Sequence, residues 1–306
     1  MYPNATFEIP AGKTQSFAQA YKDYFAVRLG ALSGGGTYSV SGVADSRACS
    51  WTYVGCDDAS RTSEFAGTLS GVYASPLVKV GKSTQKFSGE GELKGTVRVR
   101  DGTLVIGHTN AFSYVEGARY YDYVLLGDGK TTAGMEPQFL AEGVDVVKNP
   151  VRVIACADAS VTPVVGVASG TTTFAKLTVS NNVKVVANAA GSKATISKLT
   201  LLDDCDVSVG GAGEVEFAGD VTLPAGVGAS FGTTFTVGGR LTVGEGAAFA
   251  LSGLPDELDP AQVYTLVSAA GGIEGAFDFS GVTLPKGWVL QQKADKVVLK
   301  FQNGLI

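Results

Sequence analysis

Lys176-Leu-Thr-Val179, Lys198-Leu-Thr-Leu201, Asp220-Val-Thr-Leu223 and Arg240-Leu-Thr-Val243 are four versions of one phrase. Their apolar second residues, Leu177, Leu199, Val221 and Leu241, stand 22, 22 and 20 residues apart. Self-similarity at such a period marks a chain that piles up equivalent layers, because one layer cannot bury its apolar face alone. After each phrase comes a second alternating run, led by Val183, Cys205, Val227 and Ala247 at the same spacings. Before each sits a third short apolar element, centred on Phe174, Ile196, Phe217 and Val237. Three short strands per repeat, with side chains alternating in and out, predict an all-β chain wound as a right-handed parallel β-helix, a β-solenoid. The four lead residues of the phrases then form one inward row at a spacing of roughly 4.8 Å.

Corner chemistry agrees. Ser180-Asn-Asn182, Leu202-Asp-Asp204, Pro224-Ala-Gly226 and Gly244-Glu-Gly246 follow the phrases, and Asn, Asp and Gly accept left-handed backbone or close local hydrogen bonds. The 41 glycines against 2 methionines suit many short strands and tight corners. Working outward, residues 1–40 read as an N-terminal segment or cap and 41–150 as an irregular, more aromatic β-helix portion. Residues 151–262 hold the regular coils, and 263–306 form a closing β element. In the first segment Phe17, Tyr21, Phe25 and Leu29 recur every fourth residue, as on a capping helix, while Tyr24-Phe-Ala-Val-Arg-Leu29 alternates like a strand. The closing element reads as strands at Val263–Val267, Gly275–Phe279, Gly287–Gln291 and Lys296–Phe301, with Trp288 its largest apolar residue.

Charge excludes some partners. A net charge of −5 spread over 17% charged residues, with no basic run interleaved with aromatics, argues against nucleic acid. No run reaches the roughly 18 apolar residues of a membrane span. The opening Met-Tyr-Pro-Asn-Ala-Thr lacks a basic flank before an apolar core, as expected of a mature product or a piece of something longer. Cys49, Cys56, Cys156 and Cys205 have no Cys-x-x-Cys spacing, and His108 is the single histidine, so zinc is not expected. Cys49 and Cys56 bracket a short loop that a disulfide would close in an oxidising compartment. Cys156 and Cys205 either pair across nearby coils or fill the core as thiols.

In the first half, Pro76-Leu-Val-Lys-Val-Gly-Lys-Ser-Thr-Gln-Lys-Phe-Ser-Gly89 is followed by Gly95-Thr-Val-Arg-Val-Arg-Asp-Gly-Thr-Leu-Val-Ile-Gly107. This stretch resembles the autotransporter-associated β-strand repeat at Lys79, Gly81, Gly89, Gly95, Gly102 and Leu104. Lys82 and Ser83 depart from it where the repeat usually offers a further glycine. Leu32-Ser-Gly-Gly-Gly-Thr-Tyr38, Ser63–Gly71 and the ending at Tyr264–Val267, Gly275–Phe277 and Leu284–Trp288 are similar to phrases of the same bacterial surface proteins. The resemblance implies a secreted or surface-displayed right-handed β-helix, and an architecture rather than a reaction.

Candidate chemistry is sparse. Asp203, Asp204 and Asp206, near Asp220 on the next layer, are the best carboxylate group for a metal or for glycan cleavage; the alternative is solvated corner positions. Asp57 and Asp58 read as turn chemistry and His108 as a loop residue. Tyr114, Tyr120, Tyr121 and Tyr123 with Arg119 form the candidate ligand-binding surface, since rings with polar tips stack on sugars or proteins. In a strand Tyr120 and Tyr121 point to opposite faces, and core packing is the alternative. The outward column Lys176, Lys198, Asp220 and Arg240 reads as a solvated face. The expectation is a non-enzymatic extracellular structural or adhesin-type solenoid without cofactors, with end-to-end filament assembly possible for the fold. Its partners would be other protein subunits or host and matrix glycans. The competing expectation is a glycan-binding or glycan-cleaving β-helix.

Overall fold

A computed structural model describes residues 4–18, 25–41, 50–71, 76–93, 95–114, 123–202 and 205–302. Among them there is no helix, and nothing long and apolar enough to cross a membrane as one. The chain is an all-β, parallel β-solenoid with three strands per coil, in two compact units, Met1–Val165 and Gly166–Ile306.

In the first unit one wall stacks Thr6–Ile9, Ala31–Gly34, Thr62–Phe65, Thr84–Phe87, Thr103–Ile106 and Gln138–Glu142 in that order. A second wall stacks Thr14–Ala18, Thr37–Ser41, Thr68–Gly71 and Glu92–Leu93, and a third stacks Phe25–Leu29, Ser50–Val54, Leu77–Lys79, Val97–Val99, Val124–Leu126 and Val151–Val153. Every pair is parallel and in register, as in Thr84↔Thr103 and Phe87↔Ile106. Alternation then lines the interior with Phe65, Phe87, Leu104, Phe139, Val99 and Leu126, all essentially without solvent contact. Phe65 and Phe87 meet edge to face at 6.4 Å, a favoured ring geometry. Both segments flanking residues 19–24 are strands, so the helical reading of the N-terminal periodicity does not hold for Phe17, Phe25 and Leu29; Tyr21 lies outside the described residues.

One corner explains part of the glycine content. Gly36, Gly67 and Gly89 follow one another where the first wall turns into the second. A Cβ on Gly67 would sit 1.8 Å from the Gly36 carbonyl oxygen, and one on Gly89 2.1 Å from that of Gly67. No side chain fits there, so the corner specifies glycine by space alone.

The second unit repeats the plan. Thr171–Phe174, Lys193–Ile196, Glu214–Phe217, Thr234–Val237 and Val263–Ala269 form one wall, aligning Phe174, Ile196, Phe217 and Val237 as the sequence predicts. Leu177 pairs with Leu199, and Val221 with Leu241. The row is interrupted between them: the ladder ends at Leu199–Leu201 and a new one begins at Val221–Leu223. Leu199 and Leu201 are only half-buried, and Leu202 is 46% exposed. The corner before the phrase lengthens here from Ser197-Lys198 to Ala218-Gly219-Asp220, which accounts for the lost register.

The second alternating run is shifted from the expected register. Val183 stands opposite Val207, Val207 opposite Val227, and Val227 opposite Phe249. Val207 and Phe249, not Cys205 and Ala247, are therefore the lead residues. The cause is corner length: four steps separate Val179 from Val183 and Leu223 from Val227, but six separate Leu201 from Val207 and Val243 from Phe249. The chain closes with Lys296–Phe301 added antiparallel to Val263–Ala269, and Trp288–Gln292 added antiparallel to Lys296–Phe301. Trp288 is buried between Tyr264 and Phe301, ring centroids 5.8 and 5.7 Å away. Gly275–Phe279 supplies only a bridge from Asp278 to Ala248 rather than a strand.

Truncating Leu177 to alanine leaves a void in a dry stack. Leu177→Ala should lower unfolding free energy by about 2–5 kcal/mol, whereas Thr178→Ala, outward on the same strand, should stay within about 0.5 kcal/mol. Urea denaturation of the two variants checks this.

Candidate functional site

The polar groups of the first unit collect where the third wall turns into the first. Lys79 stands in an inward column with Val54, Val99, Leu126 and Val153, and its side chain is fully buried. A lone buried ammonium is costly unless every proton is received. Here the Nζ donates to the carbonyls of Val80 at 2.9 Å, Gly81 at 2.6 Å and Asp101 at 3.1 Å, tying two successive corners together. Burial pulls the amine down to a pKa of about 8, with Asp101, Cys56 and Asp57 acting in the opposite sense. Cys56 is buried, its N–H donating to Ser83 Oγ at 3.0 Å, and an Arg61 Nη1 lies 3.8 Å from its sulfur.

One corner further on, Asp128 is almost wholly buried and receives Arg100 through both Nε and Nη2 at 2.8–3.2 Å, with Arg98 Nη1 at 3.2 Å. The Lys130 N–H adds a bond of 2.8 Å. Burial by itself raises this carboxyl, but the two guanidiniums and the amide outweigh it and hold Asp128 below the ordinary carboxylate range. Gln85, also buried, uses its amide as a substitute ladder, bonding both the N–H and C=O of Leu32 at 3.0 and 2.9 Å. These are structural staples, since each saturates backbone or a charge partner.

Of the aromatic candidates, Tyr114 is 38% exposed between strands, and the Tyr123 ring lies under the Arg152 guanidinium, 3.6 Å from its centroid. Arg119, Tyr120 and Tyr121 lie outside the described residues. The same wall carries a pairing missed in the sequence, Trp51 stacked on Tyr53 at 6.1 Å with Arg28 4.4 Å from the Tyr53 ring. The i, i+2 spacing of Trp51 and Tyr53 in a strand was the available signal.

Of the acidic candidates, Asp203 and Asp204 lie outside the described residues. Asp206 is exposed, its N–H donating to Asn182 Oδ1 at 3.0 Å, and Asp220 receives the Arg240 N–H at 2.7 Å as a corner bond. Among the described residues no three His, Cys, Asp or Glu side chains are placed to hold a metal. Asp58 closes a turn on Ser60, whose hydroxyl and N–H hold the carboxyl below its usual range. His108 accepts the Asn110 N–H at 3.2 Å in a loop. No disulfide occurs among the described residues. Cys56 is a thiol and Cys49 lies outside them, so the Cys49–Cys56 bridge is not found. Cys156 and Cys205 are also thiols: the Cys205 sulfur contacts the Leu202 carbonyl at 2.8 Å, and that of Cys156 the Ile154 carbonyl at 3.8 Å.

No family model, no curated protein and no solved structure matches this chain.

Lys79 and Tyr38 set a pH profile. Folded Lys79 releases its proton near pH 8 and the unfolded side chain near 10.5. Between these values the unfolded chain binds more protons, so stability rises with pH, by on the order of 2–3 kcal/mol. Tyr38, buried and bonded to Thr52 Oγ1 at 2.9 Å, is raised by burial from 10.0 to about 12, so its contribution falls away above pH 10. Urea midpoints should climb from pH 8 to 10 and decline beyond it; Lys79→Met should remove the climb and Tyr38→Phe the decline.

Proposed function

We propose that this protein is a structural β-solenoid displayed outside a bacterial cell, a stiff adhesin-type scaffold that acts by geometry and carries out no reaction. The observation that carries the reading is the in-register backbone ladder of each unit, closed around a continuous aliphatic and aromatic filling. Bending such a segment strains many parallel hydrogen bonds together, which suits a spacer. The resemblance to the autotransporter-associated repeat supports the same role through what its residues do. Lys79 staples corners, Gly89 sits where no Cβ fits, and Gly81 and Gly102 take φ of +63° and +65°. These are demands of architecture, not of a reaction centre.

Filament growth is the less favoured extension. The wall ending at Val263–Ala269 is finished by an antiparallel pair rather than left as a plain stacking edge. In the first unit Thr6–Ile9, Thr14–Ala18 and Phe25–Leu29 have no described strand on one side, and in the second Ile273–Glu274 likewise ends its sheet.

Antibody labelling of intact and lysed source cells tests the role. Labelling of intact cells that external protease removes is the expected result. Signal only after lysis, or turnover of a polysaccharide by the purified chain, overturns it.

A further inference from the structure

Beside the Lys79 corner lies an open cleft of about 240 Å³ lined by Lys82, Asp101, Thr103, Glu136 and Gln138, with glycines between them. Its least ordinary member is Asp101, 7% exposed. The Oδ1 of Asp101 accepts the N–H groups of Gly102 at 2.9 Å and Glu136 at 3.0 Å. Its Oδ2 receives no hydrogen bond from any described residue. A buried carboxylate oxygen without a donor costs free energy, and native interiors rarely leave one so. Thr103 and Gln138 are neighbours in the ladder. Both are half-buried, and neither side chain bonds to another described residue. The cleft thus presents an open acceptor at its buried side and uncommitted hydroxyl, amide and ammonium groups around it.

The ligand class follows from this mixture. Calcium takes six to eight oxygens, while the two carboxylates here supply too few by themselves and the Lys82 ammonium beside them opposes a cation. An anion meets the same two carboxylates. No aromatic ring lines the cleft, so an apolar molecule gains little. A hydroxyl group donates one hydrogen bond and accepts others, which fits an acceptor flanked by donors. The volume lies below the roughly 300–1,000 Å³ typical of pockets for larger ligands. We propose that this cleft binds a single sugar ring, such as the terminal residue of a glycan, through hydroxyls donated to Asp101 Oδ2 and Glu136 and received from Gln138, Thr103 and Lys82. The site stands apart from the aromatic and acidic groups that the sequence singled out, and the scaffold role holds with or without it.

Saturation-transfer NMR on the full chain with free D-glucose, D-galactose, D-mannose and N-acetyl-D-glucosamine tests the site. At least one sugar should bind, with Kd on the order of 1 mM. Asp101→Asn keeps an oxygen for the Gly102 and Glu136 amides but turns the Oδ2 position into a donor. It should weaken binding about tenfold or more without changing the fold. Gln138→Ala and Thr103→Val, whose side chains hold nothing else, should each weaken binding severalfold and carry the test should Asp101→Asn unfold. Absence of signal for all four sugars at tens of millimolar overturns the proposal. So does binding unchanged in all the variants, or calcium binding that is lost in Asp101→Asn.

Discussion

The structure depends on one constraint: each strand must deliver its backbone N–H and C=O groups to the coil above and the coil below. In a parallel ladder those bonds fix both spacing and register. Once the spacing is set near 4.8 Å, an inward side chain has the corresponding residue of the next coil as its neighbour. Phe65 over Phe87, Leu177 over Leu199 and Val215 over Phe235 follow from the ladder rather than from separate packing decisions.

The same constraint explains the polar interior. Corners continue the ladder only in part, as in the Ser83 N–H on the Cys56 carbonyl at 2.9 Å, so some of their carbonyls need other donors. Lys79 supplies three, two to the corner that follows it and one to the corresponding corner of the next coil, and Arg100 with Asp128 closes the one after. Such groups help only while complete, since deleting one partner of a buried pair strands the other in a dry setting. Chemistry-bearing residues in this molecule are thus mostly structural, and Asp101 stands out because one of its oxygens is not used that way.

Period and alternation made the coils readable. Phe174, Ile196, Phe217 and Val237 fall in one column because the strands carrying them keep constant length. Corner lengths were less readable, because an extra pair of residues leaves strand alternation intact while moving the partner. Hence Val207, not Cys205, meets Val183. Lys79 shares its parity with Leu77, as an inward residue of that strand must, although a lysine ordinarily faces solvent. The cleft at Asp101 was not legible at all. It depends on Glu136 approaching Asp101 from 35 residues away, a proximity that no local pattern encodes.

The central claim is a register of equivalent coils, and backbone NOE spectroscopy on isotopically labelled protein tests it most directly. Interstrand amide and Hα contacts should place Val183 opposite Val207 and Val185 opposite Val209, with Leu177 opposite Leu199. Contacts pairing Val183 with Cys205, or none between residues one coil apart, would contradict the account.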